Sequence, residues 1–195
     1  MCGIFGYIGH QQALPILVEG LRRLEYRGYD STGVAVDDGQ SIQTHKTVGK
    51  VADLKAILPP SVQGTLGIAH TRWATHGGVT QVNTHPHASE AGTVHLVHNG
   101  IIENYQQLKK GLLKRGIECV SETDSEVLAH MIALEIESGS TPLESVQKTL
   151  RRLRGTWGLC ILFKEHDLLV CARNGSPLII GCLLYTSPSP RDSGQ

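Results

Sequence analysis

The period of the apolar residues changes in blocks along this chain, and the order of the blocks constrains the fold more than any single motif. Strand-like runs rich in β-branched and aromatic residues occupy positions 2–9, 32–36, 42–48, 65–70, 93–98, 156–163 and 168–172. Three- and four-residue spacing marks helices at 14–24, through Leu14, Leu17, Val18, Leu21 and Leu24, and at 51–58, which Pro59-Pro60 stops. Three further helical patterns, at 104–115, 125–137 and 142–153, follow one another between strand-like runs. Grouped helices and hairpin-like strands predict a layered α+β fold rather than strict strand–helix alternation around a parallel sheet. The punctuation agrees. Asp37-Asp38-Gly39-Gln40 reads as a hairpin turn, Gly116 and Gly139 sit where helices terminate, and Thr141-Pro142-Leu143-Glu144 combines a capping box with proline at the first helical position. Gly20, inside the first helix, counts against that helix.

With 195 residues, 40% of them hydrophobic, the chain can bury the core of one ordinary domain, which excludes a disordered or collagen-like protein. Eighteen basic and eighteen acidic residues cancel. No global field draws the chain to nucleic acid or to an anionic membrane, so neither is expected as a partner. The longest apolar stretches, 157–163 and 178–185, are short of the roughly 20 residues of a spanning helix. The first residues lack the basic segment and cleavage site of a secretory signal. Five cysteines (Cys2, Cys119, Cys160, Cys171 and Cys182) are odd in number and lack paired spacing, so a reducing cytoplasm is the expected location.

Several segments carry chemistry. Cys2 becomes nucleophile and base in one residue if Met1 is removed, because the thiol and a free α-amine, with reference pKa values of about 8.5 and about 7.7–8.0, can exchange a proton near neutrality; a small residue in a buried strand is the alternative. His70-Thr71-Arg72-Trp73-Ala74-Thr75-His76-Gly77 opens the long segment 72–92, rich in Gly, Thr, His and Pro, which reads as a functional loop. Arg72 can clamp a carboxylate or form a structural ion pair. His98-Asn99-Gly100, read as the end of a strand, offers an amide and a backbone N–H to an oxyanion, or a plain turn. Asp124, within Ser121-Glu122-Thr123-Asp124-Ser125-Glu126, either begins a helix or binds an ammonium group. His85-Pro86-His87 with His95 and His98 raises a metal hypothesis, but His95 and His98 face opposite sides of one strand and no Cys-x-x-Cys pair occurs, so no metal is expected. Glycines 3, 6 and 9 do not form a dinucleotide-binding loop, and no cofactor is expected.

The combination is more specific than its members. Met1-Cys2-Gly3-Ile4, Leu24-Glu25-Tyr26-Arg27-Gly28-Tyr29-Asp30-Ser31, and the segments 70–77, 98–105 and 121–126 occur in one order. Over residues 1–181 the chain resembles the N-terminal glutaminase domains of the glutamine–fructose-6-phosphate aminotransferase family, within the class II, N-terminal-nucleophile amidotransferases. The resemblance implies a four-layer αββα sandwich, with two antiparallel sheets between helical layers, and hydrolysis of L-glutamine to glutamate and ammonia. It implies Cys2 as the nucleophile, Asn99 and the Gly100 N–H as the oxyanion hole, Arg72 on the substrate carboxylate and Asp124 on its ammonium. Trp73, Thr75 and His76 match neighbouring pocket positions, and Arg27 matches a residue supporting the nucleophile.

In that family the ammonia passes to a sugar-phosphate isomerase domain that turns fructose 6-phosphate into glucosamine 6-phosphate for hexosamine synthesis, and the full-length proteins are expected to form homo-oligomers. Residues 182–195 depart from the pattern and read as a Pro- and Ser-bearing, non-native tail after a domain incomplete at its C-terminal end. The alternative to a working glutaminase is an inactive truncated fragment that binds glutamine or self-associates through exposed strand edges.

Overall fold

Strand β1 (Gly3–Ile8) and helix α1 (Ala13–Leu24) begin the chain in a computed structural model that describes residues 2–73 and 77–181. After a 3-10 turn (Glu25–Arg27), strands β2 (Ser31–Asp37) and β3 (Ile42–Val48) form the hairpin expected from Asp37-Asp38-Gly39-Gln40. Asp37 Oδ1 accepts the Gly39 N–H, and Asp38 Oδ1 accepts those of Gln40 and Ser41. Helix α2 (Val51–Ile57) and strand β4 (Leu66–Arg72) follow, and β4 inserts between β1 and β2. The first sheet therefore has the order β1-β4-β2-β3, antiparallel throughout.

The second sheet is built from the short β5 (His87–Ala88), β6 (Val94–Ile102), β7 (Gly155–Phe163) and β8 (His166–Asn174), in the order β5-β6-β7-β8, also antiparallel. Helices α3 (Tyr105–Leu113), α4 (Asp124–Glu137) and α5 (Pro142–Leu150) lie between β6 and β7 in sequence. Thr141 caps α5 and closes a capping box with Glu144, as its sequence predicts.

Strand alternation sorts the core into three layers. Val34 and Val36 pack with Leu17, Leu21 and Leu54 of α1 and α2. Leu96, Leu159, Ile161 and Phe163 pack with Leu128, Ile132 and Val146 of α4 and α5. The intervening residues Ala35, Ile68, Val97, Cys160 and Leu162 meet between the sheets. The layers are thus helix, sheet, sheet, helix, the αββα arrangement, and burial on both faces explains why β7 reads as an unbroken apolar run. Gly20 has a packing reason inside α1, because a Cβ there would lie 2.5 Å from the Phe5 ring of β1 and one of the two would have to shift. No helix among the described residues is long and apolar enough to cross a membrane.

One strand end differs from the sequence reading. β6 does not stop at His98 but continues to Ile102, pairing Asn99 with Gly158 and Gly100 with Trp157. The Asn-Gly pair looks like a turn to local propensity, yet β7 supplies a partner for its whole length and tertiary pairing prevails. Part of the segment 72–92, read as loop, likewise forms β5 against β6.

Candidate active site

Cys2 precedes β1, and the register Gly3↔Thr71 carries it beside the end of β4. The Trp73 N–H donates to Cys2 Sγ at 3.2 Å. Burial pushes the Cys2 thiol up in pKa, while the Trp73 N–H and the nearby Arg72 charge pull the other way. From the second sheet, the Asn99 Nδ2 amide donates to the Cys2 carbonyl at 3.0 Å. Asn99 Oδ1 is held at 2.9 Å by Nε2 of His70 on β4. With an amide oxygen as acceptor, His70 carries its proton on Nε2. Complete burial keeps that ring neutral, with its pKa lowered to about 3.

Gly100 follows Asn99 with φ +136°, and a Cβ there would collide with the Thr156 carbonyl oxygen, so only glycine fits at this point of the cleft lining. Arg72, the last residue of β4, is buried, and its Nη1 donates to the Gly78 carbonyl at 3.1 Å. Burial lowers its pKa, against the opposing pull of Cys2, Asp30, Asp124 and Glu122. Gly78 is in turn fixed by Glu122, whose Oε2 accepts the Gly78 N–H at 3.1 Å and the Asn83 amide at 2.9 Å.

Asp124 stands at the start of α4, where Thr123 is the N-cap. Its Oδ2 accepts the Ile102 N–H at 2.8 Å and its Oδ1 accepts the Ser125 hydroxyl at 3.2 Å. Burial raises its pKa, but His98, Ile102 and Ser125 together bring it below the usual carboxylate value. Ser125 Oγ also lies 2.9 Å from both His85 Nε2 and His98 Nδ1. Because the hydroxyl proton goes to Asp124, both rings donate to Ser125. His85 Nδ1 and His98 Nε2 are buried and have no hydrogen-bond partner among the described residues.

Cys2, Arg72, Trp73, Asn99, Gly100 and Asp124, all singled out from sequence, line one solvent-open cleft together with His85, His98, Thr123 and Ser125. A guanidinium, a carboxylate, a thiol and a side-chain amide therefore converge on one small volume. Thr75 and His76 lie outside the described residues. Arg27 ends the 3-10 turn and is not among the described residues lining the cleft, though its segment is tied to the site by the Asp30 N–H donating to the Arg72 carbonyl at 3.0 Å. Asn83, Glu122, His70 and Ser125 were not assigned roles from sequence. The signal for Ser125 was its place beside Asp124 in a helix cap, and for His70 its inward position on β4.

The histidines of the metal hypothesis separate as their strand parity predicts. His95 Nδ1 meets Thr44 Oγ1 at 3.1 Å toward the first sheet, whereas His98 faces α4. His87 Nε2 pairs with Thr123 Oγ1 at 3.0 Å. Cys119, Glu126 and His130 bring possible ligand atoms within 4.8 Å of one another, but the Glu126 carboxylate already accepts the Val120 and Ser121 N–H groups at 2.8 and 2.6 Å.

The chain is similar in sequence and in fold to known proteins. The glutamine–fructose-6-phosphate aminotransferases (isomerizing) of Aliivibrio fischeri, Caldanaerobacter subterraneus and Mesorhizobium japonicum are 51%, 48% and 47% identical to this chain, each over 93% of it. The chain spans about 30% of the length of these relatives. The solved structure of a glutamine phosphoribosylpyrophosphate amidotransferase from B. subtilis superposes with a TM-score of 0.75 at 29% identity, covering 89% of this chain and 37% of that one. An allosteric regulatory enzyme of purine biosynthesis gives 0.72 at 31% identity, covering 84% and 36%. The family described as a glutamine amidotransferase domain matches residues 70–186. With more than half of its length matched by that family, this chain belongs to the glutamine amidotransferase domains.

Proposed function

We propose that this domain hydrolyses the side-chain amide of L-glutamine to glutamate and ammonia through a thioester on Cys2. The observation that carries the reading is the convergence of the Cys2 thiol, the Arg72 guanidinium, the Asp124 carboxylate and the Asn99 amide on one cleft. A free amino acid presents a carboxylate and an ammonium at one end, and Arg72 and Asp124 complement these two charges. The side-chain amide is then left to face Cys2.

Removal of Met1 frees the Cys2 α-amine, which takes the thiol proton. The thiolate attacks the amide carbon, and the developing oxyanion is met by the Gly100 N–H and by the Asn99 amide. Asn99 has two N–H bonds, so one can hold the Cys2 carbonyl while the other serves the oxyanion. The α-ammonium returns the proton to the leaving nitrogen, and ammonia departs. Water, deprotonated by the same amine, then cleaves the thioester and releases glutamate. Trp73, Thr75 and His76 are assigned to the pocket and Arg27 to support of the nucleophile.

The names of the relatives support a wider proposal. In a full-length protein the ammonia aminates fructose 6-phosphate on a sugar-phosphate isomerase domain, giving glucosamine 6-phosphate in a cytoplasmic homo-oligomer. Residues 1–181 are assigned to the glutaminase unit and 182–195 to a tail outside it. The experiment is glutamate release from L-glutamine by the purified chain beside Cys2→Ala. Release that vanishes in the variant supports the thioester route. Equal release from both proteins excludes it, and no release from either favours the inactive-fragment reading.

A further inference from the structure

Two cysteines outside the cleft face each other across a hairpin. The β7–β8 register sets Cys160 directly opposite Cys171, and their Sγ atoms are 3.4 Å apart. Both belong to the layer between the sheets, Cys160 buried and Cys171 half-buried on the edge strand. Opposed residues of an antiparallel pair have Cα atoms about 4.5 or about 5.5 Å apart, and both values fall within the range of about 4.4–6.8 Å that a disulfide spans. Side-chain rotation is thus sufficient to bring the sulfurs to a bonding separation of about 2.05 Å.

We propose that Cys160 and Cys171 form a cross-strand dithiol that a low-molecular-weight disulfide, such as glutathione disulfide, oxidises to an intramolecular disulfide. The Cys171 thiolate attacks one sulfur of the oxidant, forming a mixed disulfide and expelling one glutathione thiolate. The Cys160 thiolate then displaces the second glutathione from Cys171. Two S–H bonds are lost and one S–S bond is gained, and the oxidant leaves as two thiols. Cys171 is the entry point because it is the more exposed sulfur. The contact between the two sulfurs also holds the Cys171 thiol below its usual pKa, while that contact and burial push Cys160 up.

The link fastens the edge strand of the second sheet. Just beyond β8, the Ser176 hydroxyl donates to the Asn99 carbonyl at 3.3 Å, so the fastened strand leads directly to the back of the proposed oxyanion residue. This inference does not depend on the glutaminase reading.

The test is a peptide map of the wild-type chain after exposure to glutathione disulfide, alkylation of remaining thiols and trypsin digestion without reductant. Cleavage after Arg154, Lys164 and Arg173 places Cys160 and Cys171 on separate peptides, 155–164 and 165–173. The expected product is these two peptides joined, two hydrogens lighter than their sum and separated by dithiothreitol. In Cys171→Ser the 155–164 peptide should stay alkylated. Recovery of both wild-type peptides alkylated separately, persistence of glutathione on Cys171, or a link from either cysteine to another residue would overturn the proposal.

Discussion

His70 and Asn99 are joined across the seam between the two sheets, with Nε2 of the ring 2.9 Å from the amide oxygen. An asparagine side chain can be turned end for end at little steric cost; the Cys2 carbonyl, which can only accept, takes the Nδ2 end, and His70 holds the oxygen end. His70 is therefore expected to act through Asn99 as a positioning residue. Asn99→Ala is expected to lower kcat by about 100- to 1,000-fold with little change in KM, as for loss of one oxyanion donor. His70→Leu should lower kcat in the same direction by less, and His70→Gln, whose amide can still donate, should recover part of the loss. Steady-state kinetics of the three variants check this, and a loss expressed only in KM would remove Asn99 from the oxyanion hole.

Arg72 and Asp124 are expected to act on binding. Removing a hydrogen bond to a charged group costs about 1.5–3 kcal/mol, so Arg72→Ala should raise KM for glutamine by roughly 10- to 100-fold. Because Arg72 also holds the Gly78 carbonyl, circular dichroism should accompany the kinetics to confirm that the variant folds. Unchanged KM would place the substrate carboxylate elsewhere.

The buried histidines give the domain an acid sensitivity that begins well above the carboxylate range. Burial lowers the pKa of His70 and His87 to about 3 and of His95 to about 4. The unfolded chain takes up these protons near pH 6.5, whereas the folded chain resists them. Their stabilising contribution is therefore present above about pH 6.5 and is lost as pH falls toward the folded values, by at most about 1.4 kcal/mol per pH unit for each histidine. Urea unfolding at pH 7.5, 6 and 5 is expected to show falling midpoints already between the first two. A flat profile down to pH 5 would mean that these rings are not kept neutral.

A change remote from the cleft should separate stability from catalysis. Thr141 caps α5, and Thr141→Ala is expected to cost about 1 kcal/mol of stability with kcat and KM unchanged. Chemical denaturation beside glutamate release tests both halves of this expectation.

Much of the architecture was legible in the chain because each strand and helix carries its own period and punctuation. β2, β3 and α5 match their turn and cap signals to within a residue or a few. What local signals could not reveal was pairing. Asn99-Gly100 has the propensity of a turn, and only β7, more than fifty residues away, makes it strand. The same reason hid His70 and Glu122, whose roles come from contacts with Asn99, Asn83 and Gly78 that sequence distance conceals. Cys2, Arg72, Asn99 and Asp124 each carry a candidate chemistry in the sequence, and a motif order rather than their spacing groups them, as the shared cleft lining does in the fold.

The thiol of Cys2 is carried by one sheet and the amide of Asn99 by the other, so the cleft works as a gauge of how the two sheets are aligned. Ala35, Val97 and Cys160 form the spacer that sets this alignment. Ala35 is not among the described residues lining the cleft, yet a larger side chain there that displaces the seam by about 1 Å is expected to cost on the order of 100-fold in rate. In a domain built this way, a variant in the middle layer can have the kinetics of an active-site lesion while every residue of the cleft is intact.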